Sequence, residues 1–507
     1  MMLVVLLVCG LGVVNLKFTI SLIFLSSFFV SFLLVNGVNA ATYYVSSNGS
    51  STGNGSFYNA WDFKTALNNA VAGDTVLVLP GNYNVTGLSS RNSGTPNNLI
   101  VFRAYDPYNK PVLINYADNH LLRIYGNYVM FKDLVLINSY PKYNIGIWNN
   151  NGLAGFGIIL DGIESEWNYP NQTWAIDNIF AANFQGSIIR NSRIKGAGHN
   201  GINIQVNVNG GSNDFILENN EIYGQKWHHA INIFPNTAWS NPVFIENFSI
   251  RNNYIHDIGL HQSAIFTRYV RGFKIYNNLM VNISGAGLSI ASGDETPDDV
   301  YDALGGSFDN NVFISENGVM VGNFVANNLR IRNNIYYGKL STNNVLSFRE
   351  NYEPGIQGFP IYDHFINNNI YYSSNGPISF LWGDKNYSFN SFRINTGHDN
   401  NSFNMNPYFL STNNFSLQNT SVGIDSGIEL NYFNVDKNGV LRPQGSGWDI
   451  GAFEYVSGST NFHSADLNND GCVSLSEISA FVARWLNGEI SLSVVSGAVS
   501  LWLNGGC

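Results

Sequence analysis

The chain has 507 residues; it is 45% apolar but only 12% charged, and 25 Lys and Arg against 35 Asp and Glu give a net charge of −10. Soluble domains are about a quarter charged, so surface polarity here rests on uncharged groups, chiefly 76 Asn and 50 Gly. That composition argues against a helical bundle, which needs Ala, Glu, Lys and Leu. It also argues against disorder, given 14% aromatic residues, and against a nucleic-acid surface, which needs clustered Lys and Arg. Many tight turns between short strands remain.

Residues 18–35 are apolar apart from Ser and Thr, follow Lys17 and lead to Val38-Asn39-Ala40. This pattern predicts a signal peptide over residues 1–40 and a secreted or cell-surface protein. The alternative is an uncleaved anchor, since roughly 18 residues rising 1.5 Å each nearly cross a ~30 Å hydrocarbon layer. Cys9 leaves with the signal, and Cys472 and Cys507 remain as an even pair for an oxidising compartment. Trp61–Val71 reads as a helix capping the end of the following structure, with Phe63, Leu67, Ala70 and Val71 on one face. A strand over Thr75–Leu79 follows, turned by Pro80-Gly81.

The middle of the chain repeats one short pattern: apolar, any, Asn-Asn or a relative, any, apolar. Copies centre on Asn191-Ser192, Asn219-Asn220, Asn252-Asn253, Asn277-Asn278, Asn310-Asn311, Asn333-Asn334 and Asn368-Asn369. The spacing suits one supersecondary unit per copy. Each unit reads as three short strands, for example Phe215–Glu218, Glu221–Tyr223 and Ala230–Phe234. Asn at the first corner tolerates the left-handed backbone that a sharp turn demands, and amides stacked from coil to coil can hydrogen-bond along the axis.

Thr42-Tyr43-Tyr44-Val45, Ala72-Gly73-Asp74-Thr75-Val76 and Pro80-Gly81-Asn82-Tyr83 resemble the opening of secreted right-handed parallel β-helix proteins, including polysaccharide lyases of the pectate-lyase type. Asp425-Ser426-Gly427, Arg442-Pro443 and Trp448-Asp449-Ile450-Gly451-Ala452-Phe453-Glu454 resemble their closing piece. The expected fold is therefore an all-β, right-handed parallel β-helix solenoid over residues 41–456, with an N-terminal capping helix. That superfamily also holds hydrolases, epimerases and non-catalytic surface proteins.

A linker over 457–462 leads to a tail over 463–507. There Asp466, Asn468 and Asp470 fill positions 1, 3 and 5 of a calcium loop, and Gly471 sits at the sharp turn. The Cys472 carbonyl, Ser474 and Glu477 take positions 7, 9 and 12. A helix over Ile478–Leu486 follows, and Ile490–Leu503 repeats its apolar pattern without carboxylates. The tail resembles a dockerin module, a small α-helical EF-hand-like domain, with one complete and one degenerate half. That resemblance implies Ca2+ and a cohesin-like or cell-surface partner, and a Cys472–Cys507 disulfide is an option for closing the degenerate half.

Chemistry is expected where histidines recur at one offset. His199 precedes Ile202-Asn203-Ile204, His228 and His229 precede Ile231-Asn232-Ile233, and His261 precedes Ile265-Phe266-Thr267. All sit at the turn into the third strand, whose outward residues would be Asn203, Asn232, Phe266 and Ser289. His120, His364, His398 and His463 read as off this line. In lyases of the resembled type the substrate groove runs over such a strand. Candidate catalytic groups are Lys195, His199, His228, His229, His261 and Arg268, with Lys226 also in these coils. Candidate substrate-binding groups are Asn203, Trp227, Asn232, Phe266 and Arg271. With these groups, the resemblance implies a monomeric polysaccharide lyase acting on a uronate-containing, pectin-like polymer by β-elimination, in which a base removes the proton α to the carboxylate. The acidic run Asp294–Asp302 reads either as a calcium loop beside the groove or as a solvated insertion. Two alternatives stay open: a glycoside hydrolase, for which Glu221, Glu246, Asp257 and Asp294 are available, and a carbohydrate-binding adhesin bearing glycosylation sites such as Asn48 and Asn84.

Overall fold

The computed structural model describes residues 40–148, 155–169, 176–206, 211–235, 243–259, 262–290, 303–315, 318–323, 326–339, 343–348, 361, 363–456, 465, 473–487, 495, 498, 499 and 502. Its strands sort into three sheets of 14, 11 and 12 members, here sheets I, II and III. Pairing is parallel throughout, apart from Ile378–Trp382 with Lys385–Tyr387. Each coil gives one strand to each sheet in turn. Ile188–Arg190, Arg193–Ala197 and Ile202–Val206 are followed, in register, by Ile216–Glu218, Glu221–Gln225 and Ile231–Pro235. This is a parallel β-helix.

Period-2 alternation sends every second side chain inward. Ile189, Leu217, Ile250 and Ile275 stack beneath sheet I, and Ile202, Ile231, Ile265 and Leu288 beneath sheet III, each 0–1% exposed. Phe184, Phe215, Phe248 and Phe273 form a ring stack inside, with centroids 6.0, 4.9 and 5.6 Å apart. Burying a side chain of this size stabilises by about 1.5–3 kcal/mol.

The two residues of each Asn corner divide the work. The first takes the left-handed backbone, with φ between 51° and 58° at Asn191, Asn219, Asn252, Asn277, Asn310, Asn333 and Asn368. The second is buried and forms the axial ladder. Asn253 Oδ1 accepts from Asn220 N and Nδ2 at 3.0 and 3.1 Å, Asn278 Oδ1 accepts both from Asn253 at 3.0 Å, and the pattern continues through Asn311, Asn334 and Asn369. Each amide also donates inward to a strand carbonyl, as Asn220 does to Ile189 O at 2.9 Å.

Helix Phe63–Asn69 starts at Asp62, whose carboxylate accepts from Thr65 N at 2.7 Å, and buries Phe63, Ala66 and Leu67 in the core. It ends too early to include Val71, which is 51% exposed. At the far end, residues 397–456 run back along the corner, held by the first asparagines. Asn277 donates to Val435 O, Asn310 to Gly451 O, Asn333 to Ile428 O and Asn368 to Ser426 O. A fully buried Arg442–Glu454 pair at 2.6 Å pins this segment. In the tail, helix Leu475–Leu486 begins with a capping box between Ser474 and Glu477, and Ile478 and Phe481 share a small core with Ala465, Val473, Val495 and Ala498. Asp466, Asn468, Asp470, Cys472 and Cys507, the signal peptide and the linker lie outside the described residues.

The division of labour predicts that Asn220→Ala, which leaves Ser192 N and Asn253 partly unpaired, destabilises by about 2–4 kcal/mol. Asn219→Gly, which keeps the left-handed turn, should stay within about 1 kcal/mol of the parent. Urea unfolding of the two variants measures both.

Candidate functional site on sheet III

The outer face of sheet III carries one continuous file, Arg123, Gly146, Phe180, Asn203, Asn232, Phe266 and Ser289, in direct register. The turn entering the sheet carries a parallel file two residues before each inner Ile or Leu: His120, Tyr143, Asp177, Asn200 and His229. His199 and His228 stand one residue earlier still. His120 therefore belongs to the line, contrary to the sequence reading; its ring stacks on Tyr143 at 5.0 Å, and Tyr143 stacks on Phe180 at 5.1 Å.

Trp148 lies across Gly146, where a Cβ would come within 2.1 Å of its ring. Its indole meets His120, Tyr143 and Phe180 edge-on and lies 5.5 Å from the Arg123 guanidinium. Arg123, Trp148 and Phe180 so form an aromatic floor with one cation.

The centre of the file is Asp177, a residue the sequence reading did not single out. It is 2% exposed, and both oxygens accept bonds. Oδ1 takes His199 Nδ1 at 2.7 Å, Asn200 N at 2.9 Å and Asn200 Nδ2 at 2.9 Å, while Oδ2 takes Asn203 Nδ2 at 2.8 Å. Asp177 Oδ1 and Asn200 Nδ2 both lie 2.7 Å from His199 Nδ1; in the tautomer that donates from Nδ1 to the carboxylate, the free lone pair is on Nε2. The turn is held from beneath by the wholly buried Asn178, whose amide donates to Lys195 O and Gly196 O at 3.0 and 2.9 Å.

His228 and His229 lie alongside. The His199 and His228 ring centroids are 4.0 Å apart, and His229 stacks on Phe266 at 4.5 Å. Burial, reinforced by the neighbouring imidazoles, pushes His228 down to about 4 and His229 to about 3. Both are neutral at pH 7 and poor bases. His229 Nδ1 accepts from Ser263 N at 3.1 Å, so its proton sits on Nε2 as a hydrogen-bond donor.

The other sequence candidates divide by location. Asn203 is 2% exposed and committed on both sides, donating to Asp177 and accepting from Asn232 at 3.0 Å; it positions rather than contacts substrate. Asn232, 8% exposed, donates from Nδ2 to Asn203 Oδ1 and closes this network. Trp227 is 46% exposed on the same turn and Phe266 lies in the file. Lys195 stands on the outer face of sheet II, ion-paired with Glu166, whose hydrogen bond raises its pKa and keeps it as an ammonium with no free lone pair to take a proton. Arg268 is 3% exposed, packed on Tyr269 and Phe234, and so is no accessible base. Arg271 belongs to sheet I, over Phe244 and beside Glu246. Glu221 and Asp257 both bond His256 on sheet II. His261 and the run Asp294–Asp302 lie outside the described residues.

Among the described residues no group of three or more His, Cys, Asp or Glu is placed to hold a metal. Calcium beside this groove does not fit the described donors, because it takes oxygen ligands and both Asp177 oxygens already serve N–H groups.

No family model matches the chain, and no curated protein matches it. Solved structures do. The alginate lyase from Paenibacillus sp. str. FPU-7 is 15% identical, with a TM-score of 0.42 over 58% of this chain and 94% of that one. Pectate lyase Pel9A is 14% identical, with a TM-score of 0.39 over 82% and 97%. The A-module of Azotobacter vinelandii mannuronan C-5 epimerase AlgE6 is 14% identical, with a TM-score of 0.40 over 66% and 91%. At such values the parallel β-helix rests on the strand register above.

Between pH 6.5 and about 3 the unfolded chain binds protons that folded His228 and His229 refuse, so their contribution to stability falls as pH falls through that window. His229→Gln should flatten the loss between pH 6.5 and 4. Imidazole NMR should show both residues neutral down to about pH 5, His228 reaching its midpoint near 4 and His229 near 3.

Proposed function

We propose that this chain is a secreted polysaccharide lyase that cleaves a uronate-containing, pectin-like polymer by β-elimination across the outer face of sheet III. The observation that carries the reading is the Asp177–His199 pair, 2.7 Å apart, beside an aromatic floor. Sugar rings present an apolar face that stacks on Trp148, Phe180 and Phe266. Arg123 takes the carboxylate of a ring about 14 Å along the axis, three strand steps of roughly 4.8 Å from Asn203.

At the reacting ring, His199 Nε2 removes the proton α to the carboxylate. The released electron pair forms the C4–C5 double bond and expels the C4 oxygen, which receives the proton from the His199 imidazolium, directly or through water. Asp177 stabilises that imidazolium, and the Nε2–H of neutral His229 donates toward the enolate-like oxygen. Asn200 locks the pair, its amide on Asp177 and its Oδ1 accepting from His229 N at 3.2 Å.

Incubation with a panel of uronate polymers, followed by ultraviolet absorbance of the unsaturated product, tests this. His199→Ala and Asp177→Asn should each lower kcat by about 10²–10⁴, with Lys195→Ala within about threefold of the parent. No absorbance with any polymer, with or without calcium, defeats the elimination reading. Full activity of His199→Ala moves the base elsewhere.

We further assign the tail a structural calcium held by Asp466, Asn468, Asp470, the Cys472 carbonyl, Ser474 and Glu477, supported by that oxygen donor set and its loop spacing. A dockerin-like tail of this kind would dock a cohesin-like or cell-surface partner. Calorimetric titration of the full chain should show one calcium bound and none in the Asp466→Ala, Glu477→Gln double variant; no binding by the parent contradicts the assignment.

A further inference from the structure

Sheet II carries a second outward file, Lys195, Tyr223, His256, Val281, Ile314, Tyr337 and Tyr372, well apart in register from the histidine turn. Over its later members the returning segment leaves a cavity of about 380 Å³, within the roughly 300–1,000 Å³ of small-ligand sites. Its apolar walls include Tyr337, Tyr408 and Phe409, and its polar ones include Asn406, Thr412 and Gln418.

The Tyr408 ring is held at some conformational cost. Its backbone is left-handed, with φ 52°, a region that bulky residues avoid. The conformation is pinned by Asn406 Oδ1 accepting from Tyr408 N at 2.8 Å, and by Gln418 N donating to Tyr408 O at 2.8 Å. The ring is nonetheless 44% exposed, with Met405 and Leu410 similarly uncovered beside it. Gln418 Nε2 is spent on Phe409 O at 2.8 Å. Among the described residues this leaves Asn406 Nδ2 as a donor, Gln418 Oε1 as an acceptor and the Thr412 hydroxyl as either.

We propose that this cavity binds a pyranose ring, as a carbohydrate-binding subsite separate from the sheet III groove. A pyranose has the matching chemistry: a face of C–H groups for Tyr337 and Tyr408, and a rim of hydroxyls that both donate and accept for Asn406, Gln418 and Thr412. A wholly apolar ligand would leave those amides unpaired. The site stands whether or not the elimination reading holds, because it shares no residue with it.

Calorimetry and ligand-observed NMR on the full chain, with cellotriose as the neutral probe and trigalacturonate as the acidic one, test the proposal. Binding of either supports it and the responding probe gives the charge class, provided that Tyr408→Gly, which removes the ring while relieving the backbone, weakens that binding about tenfold or more. Thr412→Trp, which fills the cavity, should abolish it, the acidic probe being measured in an Arg123→Ala, Phe180→Ala background that removes the carboxylate and stacking contacts proposed on sheet III. Wild-type affinity in Thr412→Trp, or no binding of either trisaccharide at about 10 mM, overturns the proposal.

Discussion

A buried amide in a β-helix has to be paired on every coil, and the second asparagine of each corner meets that requirement by bonding its counterpart on the next coil and a strand carbonyl on the one before. An unpaired buried amide costs about 1–3 kcal/mol, so the ladder from Asn220 to Asn369 strongly disfavours any slip between coils. Everything on the outer surface inherits that registration. Residues at one offset in the repeat become a straight file spaced by the interstrand distance of roughly 4.8 Å, and a short side-chain vocabulary is turned into an ordered surface stripe.

The two outer faces use this in different ways. On sheet III the file brings Asp177 from one coil under His199 and Asn200 from the next, so the carboxylate and the imbalance of charge around it are set by stacking and not by a loop. On sheet II the early coils carry ion pairs, Lys195 with Glu166 and Arg193 with Glu221, and the later ones are apolar and covered by residues 397–456. The first asparagines of the corners serve twice, setting the left-handed turn and holding that covering segment. His256 marks the boundary between the two regimes; burial alone would lower its pKa, but Glu221 and Asp257 outweigh it and raise it.

The repeat was legible because its signals are local: alternation within five residues and an Asn pair at fixed offset. The outward set Asn203, Asn232, Phe266 and Ser289 followed from it and matches the observed register. Asp177 escaped notice because its coil offers no histidine to announce the turn; aligning Asp177-Asn178-Ile179-Phe180 with Asn200-Gly201-Ile202-Asn203 would have found it. The same alignment places His120-Leu121-Leu122-Arg123 and, with it, the cation of the floor. Lys195 misled for the converse reason. It lies four residues from His199 in sequence, but a corner intervenes and the two side chains leave different sheets. Burial of Arg268 between two rings depends on packing that no spacing rule reports.

The claim on which the functional account turns is that saccharide lies along sheet III with its reacting ring at His199. A crystal structure of the Asp177→Asn protein soaked with a uronate oligosaccharide tests it most directly. The account predicts rings over Trp148, Phe180 and Phe266, with the C5 hydrogen of one uronate facing His199 Nε2. Saccharide density confined to other surfaces, with this file bare, would contradict it.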